Sequence, residues 1–176
     1  MSSEDPSSFV LRDLMPADAD AYRELRLEAL ASAPAAFGSS YEEEIRLSLD
    51  EFRARIPDTG PNRIFAAFSR DRLVGMAGFV VQDRLKARHK GILWGVYVRP
   101  EARGRGLGDA LVRQVVDHAA RHVVVIEAAV GLFNESARRT YHKLGFKPYG
   151  IERKAIRIDD IFYDEELLFI DFSEHA

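Results

Sequence analysis

The chain has 176 residues, a length that fits one domain with a single sizeable core. Its 28 acidic and 25 basic residues give a net charge of −3, and 47% of its residues are hydrophobic. This composition excludes a disordered chain and argues against nucleic acid as the main partner, because binding to the phosphate backbone needs a basic excess. The absence of cysteine excludes disulfides, thiolate metal sites and a cysteine nucleophile.

The start of the chain, MSSEDPSSFV, is acidic and rich in serine. It lacks the basic start and apolar core of a signal peptide. No apolar run approaches the roughly 20 residues that a membrane span requires. We therefore expect a soluble cytoplasmic protein with no membrane partner, in which residues 1–8 form a flexible leader and residues 9–176 a single domain.

The first third of the chain predicts one strand and two helices. The strand covers residues 9–14, and a helix runs from Pro16 to about Ser32. The polar segment after Pro34 has no clear assignment. Ser48 and Glu51 form a capping box, which predicts a second helix that Pro57 ends.

The rest of the chain alternates between strands and helices. A hairpin of strands 63–69 and 73–81 turns at Arg70-Asp71, and strand 91–98 extends it. The run 123–130 is almost entirely apolar, as expected of a strand covered on both faces. The other predicted elements are helix 106–120, a short helix ending at a left-handed Gly145, and strands near 150–158 and 165–171 around the turn Asp159-Asp160. This order predicts one α/β domain with a mixed sheet.

Three glycines alternate with other residues at 103–108, RGRGLG, between strand 91–98 and the following helix. A helix N-terminus offers unpaired N–H groups, and residues without side chains let a phosphate approach them. The alternative is a flexible surface turn with solvated arginines, which a GxGxG motif alone would favour. The strand–loop–helix context reverses that preference. No Lys-Ser/Thr follows, so the motif is not a P-loop, and its spacing and late position fit a dinucleotide fingerprint poorly.

Two blocks carry a family resemblance. The stretch VRPEARGRGLGDALV resembles the acyl-CoA loop of the GNAT superfamily of N-acetyltransferases, whose signature is Gln/Arg-x-x-Gly-x-Gly/Ala. The stretch FNESARRTYHKLGFKPYG is similar to a later block of the same family, and the two blocks stand in the family's order. The resemblance implies the family's fold: a mixed, mostly antiparallel sheet flanked by about four helices, in which a splayed parallel strand pair forms the acyl-CoA cleft.

The resemblance also implies acetyl-CoA as the acyl donor, with an amine as acceptor and no metal. The pantetheine arm would pair like an extra strand with Val96, Tyr97 and Val98. Asn134 would bond the pantetheine or a water, although it could also be a plain helix N-cap. The pyrophosphate would bind the backbone amides of the loop residues Arg103, Gly104, Arg105, Gly106, Leu107 and Gly108.

Tyr141 is the predicted general acid. Attack of the amine on the thioester expels a thiolate, and a phenol can donate a proton to it. The alternative is a core tyrosine that packs beneath the cofactor. A backbone N–H near Val96 would meet the oxyanion, and without cysteine the transfer is expected to be direct.

The proton of the acceptor ammonium needs a base or a water relay. Glu127 is one candidate base, and the acidic run Glu42, Glu43 and Glu44 supplies others and could attract a cationic amine. Each carboxylate has the alternative of being solvated or ion-paired. The acceptor itself stays open among polyamines, amino acids, antibiotics and protein N-termini.

His118 and His122 stand four residues apart, a spacing that could hold zinc. Cationic residues at a helix C-terminus explain them more simply, so no metal site is predicted. The favoured function is an N-acetyltransferase, and the alternative is a catalytically silent acyl-CoA-binding sensor of the same fold. A non-enzymatic nucleotide-binding domain ranks third, and a homodimer is left open.

Overall fold

Seven strands form one sheet in the computed structural model, which describes residues 9–175. The predicted leader, residues 1–8, lies outside the described residues. The strands are β1 (Phe9–Asp13), β2 (Arg63–Ser69), β3 (Arg72–Val81), β4 (Lys90–Val98), β5 (Val125–Gly131), β6 (Lys147–Ile158) and β7 (Ile161–Asp171). The α-helices are α1 (Ala19–Ser32), α2 (Tyr41–Glu44), α3 (Leu49–Ala54), α4 (Leu107–Ala119) and α5 (Glu135–Lys143).

The sheet has the order β1-β2-β3-β4-β5-β7-β6. Every neighbouring pair is antiparallel except β4 and β5, which run parallel. The predicted mixed, mostly antiparallel α/β fold is therefore confirmed. Four helices have six residues or more, and the fifth, α2, has only four. In the part of the chain described here, no helix is long and apolar enough to span a bilayer.

The parallel strands separate soon after they meet. Pairing of β4 with β5 ends at Ile92, which lies opposite Glu127, although β4 continues for six more residues to Val98. In the same part of β4 a bulge interrupts its pairing with β3, and Gly95 has a φ of +64°. A bulge increases local twist and bends its strand. The sheet consequently opens between β4 and β5, as the family resemblance implies.

Helices cover both faces of the sheet near this opening. On one face, α4 contributes an apolar stripe that includes Leu111, Val112 and Val115, all fully buried. On the other face, Leu25 of α1 and Phe52 of α3 are equally buried in a second cluster. The two clusters fix α1 and α4 on opposite sides of β4.

Strand β5 differs from the prediction in its start and its environment. The N–H of Val123 bonds to the carbonyl of Ala119, so Val123 still belongs to the end of the α4 turn rather than to the strand. Within β5, Ala129 is exposed and Val125 and Glu127 on the same face are half-buried, whereas Ile126 and Ala128 on the other face are buried. The expectation of cover on both faces was therefore wrong, because one face of β5 faces outward. Strands β6 and β7 are longer than predicted, since they pair up to a two-residue turn after Ile158.

His118 was interpreted as a cation at a helix end, but it is a core residue with 8% exposure. Its ring meets those of Phe65 and Phe79 edge-on, and Nε2 donates to the carbonyl of Pro61 at 2.6 Å. Burial lowers the pKa of His118 and outweighs the hydrogen bond, which raises it. The imidazole is therefore neutral at pH 7. Within residues 9–175 no group of three His, Asp or Glu side chains could hold a metal.

The lowered pKa of His118 predicts destabilisation by acid. The contribution of neutral His118 to the free energy of unfolding is complete above the pKa of histidine in the unfolded chain, about 6.5. It is lost as the pH falls through the lower pKa of His118 in the folded protein. When the pH is lowered from 7.5 to 5, the midpoint temperature of thermal unfolding should decrease in the wild type. The decrease should be smaller in His118→Gln. The control His89→Gln, which removes an exposed imidazole, should follow the wild type. Three parallel curves would show that protonation of His118 is not coupled to folding.

Candidate functional site

A cleft of about 740 Å³ lies beside the separated end of β4. Its walls come from four places in the chain: the segment after α1, the end of β4 with the glycine loop, the first turn of α4, and α5 with the residues before it. The lining residues are Ala33, Ala36, Phe37, Val96, Tyr97, Val98, Arg103, Gly104, Gly106, Leu107, Gly108, Asp109, Phe133, Asn134, Glu135, Ser136, Ala137, Thr140 and Tyr141.

The backbone of the loop requires glycine at two positions. Gly104 and Gly106 have φ angles of +76° and +73°, which disfavour any residue with a Cβ. Gly108 is helical, and a Cβ there would meet no atom within 4 Å. The first hydrogen bond of α4 runs from the N–H of Ala110 to the carbonyl of Gly106. The N–H groups before Ala110 are therefore free of the helix ladder and can donate hydrogen bonds to an anion in the cleft.

The two loop arginines have different positions. Arg103 lines the cleft, where its Nε donates to the carbonyl of Val98 at 2.9 Å and its guanidinium lies 5.7 Å from the centre of the Tyr97 ring. Arg105 instead stacks 5.6 Å from the ring of Phe9 and does not line the cleft. Of the two, only Arg103 is held where it can reach an anion in the cleft.

A carboxylate in the first turn of α4 ties this helix to α5. Asp109 accepts a hydrogen bond from the hydroxyl of Thr140 at 2.7 Å and pairs with the ammonium of Lys143 at 2.5 Å. The bond from Lys143, followed by that from Thr140, lowers the pKa of Asp109. Lys143 also offsets a negative charge that would otherwise oppose an anion at this helix end.

Helix α5 buries little apolar surface, and Tyr141 is its only residue classed as buried. Polar contacts therefore fix its position. Glu166 of β7 accepts hydrogen bonds from Arg138 at 3.2 Å and pairs with His142 at 3.0 Å. Asn134 caps the start of the helix by accepting a bond from the N–H of Ala137 at 3.2 Å. The amide nitrogen of Asn134 stays available to the cleft.

Tyr141 is 6% exposed, yet it lines the cleft. The helix ends in a Schellman motif, in which Gly145 has a φ of +99° and the N–H of Phe146 bonds to the carbonyl of Tyr141. The ring of Phe146 lies 5.6 Å from that of Tyr141, centre to centre. Burial raises the pKa of Tyr141, so the phenol keeps its proton throughout the neutral range.

The structure does not bring the predicted carboxylates to the cleft. Glu127 pairs with Lys90 at 2.6 Å. Glu42 is exposed, Glu43 caps α2 by accepting from the N–H of Ser40, and Glu44 is buried. None of the four lines the cleft.

Sequence reasoning named every lining residue of β4 and the loop, together with Asn134 and Tyr141, but the predicted Arg105 does not line the cleft. It missed Asp109, Thr140 and Phe37, all of which line the cleft. Asp109 and Thr140 carried a weak signal, because each lies within one of the two blocks that resemble the family. Phe37 carried none, because it enters the cleft from a segment without periodicity.

Comparison with known proteins is consistent with this geometry. The profile of the acetyltransferase (GNAT) family matches residues 22–146. The chain is 32% identical over 111 residues to a probable N-acetyltransferase, YjcK, of Bacillus subtilis, which covers 61% of this chain and 59% of the relative. It is 30% identical over 87 residues to an uncharacterized N-acetyltransferase of Methanocaldococcus jannaschii, covering 46% of this chain and 38% of the relative. Less than two thirds of either relative is therefore matched.

The fold also matches a solved structure. The structure of yncA, a putative acetyltransferase from Salmonella typhimurium with its cofactor acetyl-CoA, superposes with a TM-score of 0.79. The match covers 96% of each chain at 22% identity. At this identity the similarity concerns the fold.

The glycine loop can be tested with a matched pair of variants. Gly60 has a φ of +72°, close to that of Gly106, but does not line the cleft. Gly60→Val and Gly106→Val should each lose about 1–2 kcal/mol of stability from backbone strain. Only Gly106→Val should weaken binding of acetyl-CoA, the ligand that the resemblance implies, by at least about tenfold. Calorimetric titration measures this, and an affinity within twofold of wild type would mean that Gly106 serves the turn alone.

Proposed function

Because the chain belongs to the acetyltransferase (GNAT) family, we propose that it transfers an acetyl group from acetyl-CoA directly to a primary amine. One observation supports this most strongly. The gap between β4 and β5 has a loop suited to phosphate at one end and the buried phenol of Tyr141 in its wall. A binding module would need the loop but not the phenol.

The donor would lie along the end of β4. In this proposal the pyrophosphate takes the free N–H groups at the start of α4, and Arg103 adds a charge-assisted bond. The pantetheine arm then pairs with Val96, Tyr97 and Val98, whose strand has lost its neighbour β5. The amide of Asn134 donates to the arm from the opposite wall.

The chemical step follows from the same geometry. The amine nitrogen attacks the thioester carbon, and the N–H of Val96 donates to the oxyanion that forms. A C–N bond forms and the C–S bond breaks, so that electrons move to the sulfur. Tyr141 gives its proton to the departing thiolate and regains one from the nitrogen of the product. Because the pKa of Tyr141 is raised, the phenol is fully protonated when the thioester arrives.

For removal of the first proton from the ammonium we propose a water relay. The predicted bases, Glu127 and the run Glu42, Glu43 and Glu44, do not line the cleft. Of the two acidic residues that do, Asp109 is already paired with Lys143, and Glu135 is exposed in the first turn of α5. Holding an ordered water that bridges polar groups costs at most about 2 kcal/mol. We place the reaction in the cytoplasm, in agreement with the composition.

Replacement of Tyr141 by phenylalanine tests the acid role. The ring stays in place, so acetyl-CoA should bind nearly as well as to the wild type. General acid catalysis is worth about 10²–10⁴-fold, so kcat should fall by about that factor, or about 3–5 kcal/mol in barrier. Release of free CoA thiol with the best amine of a panel gives the rate.

The control is Tyr149→Phe, which removes a phenol that is 56% exposed and does not line the cleft. This variant should keep wild-type kcat. Retention of more than half of wild-type kcat by Tyr141→Phe, with chemistry rate-limiting, would contradict the acid role. Binding of acetyl-CoA without turnover on any amine would favour the silent acyl-CoA sensor.

A further inference from the structure

A buried arginine interrupts the apolar face of α1. Tyr22, Leu25 and Ala29 on this face are at most 1% exposed, and Arg26 among them is 7% exposed. Its Nε and Nη2 donate to the two carboxylate oxygens of Glu44 at 3.0 and 2.8 Å. This bidentate pair holds the guanidinium in one plane.

The ion cluster around Glu44 has a surplus of positive charge. Arg55 approaches the same carboxylate at 3.4 Å, so two guanidinium groups share one carboxylate. Burial by itself raises the pKa of Glu44, but the bonds and charges of Arg26 and Arg55 outweigh it and lower the pKa. Glu44 is therefore ionised, and the cluster carries a net charge of about +1.

Arg26 extends one nitrogen, Nη1, to the bulge of β4, although Arg26 is not among the residues that line the cleft. Its Nη1 makes no hydrogen bond among the described residues. Among the described residues, the fully buried side-chain nitrogen and oxygen atoms without a hydrogen-bond partner are Arg23 Nε and Gln114 Oε1. Nη1 of Arg26 is not one of them, so it is accessible from outside the core. A methyl group placed on Gly95 would lie 3.9 Å from Nη1, and the guanidinium lies 5.3 Å from the centre of the cleft-lining Phe37 ring. Arg26 therefore reaches the bulge of β4, beyond the last residue that pairs with β5.

We propose that Arg26 binds a carboxylate of the acceptor, which makes the acceptor an amino acid rather than a polyamine. The proposal rests on the proposed acetyl transfer and names its substrate class. A guanidinium that keeps N–H groups free beside one carboxylate can bond a second carboxylate through them. Glu44 orients the guanidinium, and the outer N–H groups of Arg26 bond a carboxylate carried near the reacting amine.

This assignment reverses the role expected of the acidic run. Glu44 points inward to Arg26, and Glu43 is used in capping α2. The member of the run nearest the gap is thus neutralised rather than available to an ammonium. The acceptor side of the gap is positive at this point and selects for an anionic group.

Direct binding tests the proposal without turnover. Each of the standard L-amino acids and its α-carboxamide is titrated calorimetrically into the protein saturated with CoA. At least one amino acid should bind at least about tenfold more tightly than its carboxamide. The carboxamide has no negative charge to pair with the free N–H groups of Arg26. Spermidine and an N-terminal peptide should bind no better than the carboxamides.

Replacing Arg26 alone would leave the buried carboxylate of Glu44 without its bidentate partner. The test variant is therefore the double substitution Arg26→Gln with Glu44→Gln. It should bind an amino acid and its carboxamide equally. The control Arg12→Gln with Asp18→Asn removes a bidentate pair on the surface and should keep the preference. Equal binding of acid and amide to the wild type, a preference that survives in the Arg26 variant, or no binding of any amino acid would overturn the proposal. An amino acid that binds without being acetylated would contradict the proposed transfer and leave the carboxylate site standing.

Discussion

The early end of the β4–β5 ladder is the constraint on which the site depends. A strand inside a sheet normally pairs the N–H and C=O groups on both of its edges, but here the ladder to β5 stops at Ile92 while β4 continues to Val98. Backbone groups beyond that point need another partner, because unpaired backbone in a protein interior is costly. A ligand with its own amides can take the place of the missing strand. The bulge at Gly95 bends β4 away from β5 and thereby keeps the place open.

The separation has consequences for the helices around it. Helix α4 packs by an apolar stripe and fixes the glycine loop, whereas α5 has almost no apolar surface to bury. Ion pairs and hydrogen bonds to Asp109 of α4 and Glu166 of β7 hold α5 in position instead. Tyr141 is therefore placed relative to the loop by the same Asp109 that lies in the first turn of α4. This arrangement connects the glycine loop at one end of the cleft to Tyr141 in its wall.

Much of this could be predicted from the sequence, because local signals agree with the fold. The apolar periodicity of α4, the capping box at Ser48 and the turn at Asp159 lie where the structure has them. The loop and Tyr141 were found through two motifs of the family. What failed was long-range: the inward turn of Glu44, the pair of Glu127 with Lys90, and the different positions of the two loop arginines. Both carboxylate contacts and the stacking of Arg105 on Phe9 depend on residues distant in sequence, so spacing carries no information about them. The sequence places the charge of Arg26 on an apolar helix face. Its role could be inferred only once the structure showed Glu44 and Gly95 beside it.

Ligand-induced thermal stabilisation tests the central claim most directly, because a ligand that binds the native state raises its unfolding temperature. Acetyl-CoA, NAD and ATP are compared at equal concentration with the wild-type protein. The strand-like arm distinguishes acetyl-CoA from the other two, since all three carry phosphates but only acetyl-CoA can pair with the free edge of β4. We expect a clear rise in melting temperature with acetyl-CoA and a far smaller one with NAD or ATP. Equal shifts with all three would show that the loop binds phosphate and that the gap between β4 and β5 has no part in binding.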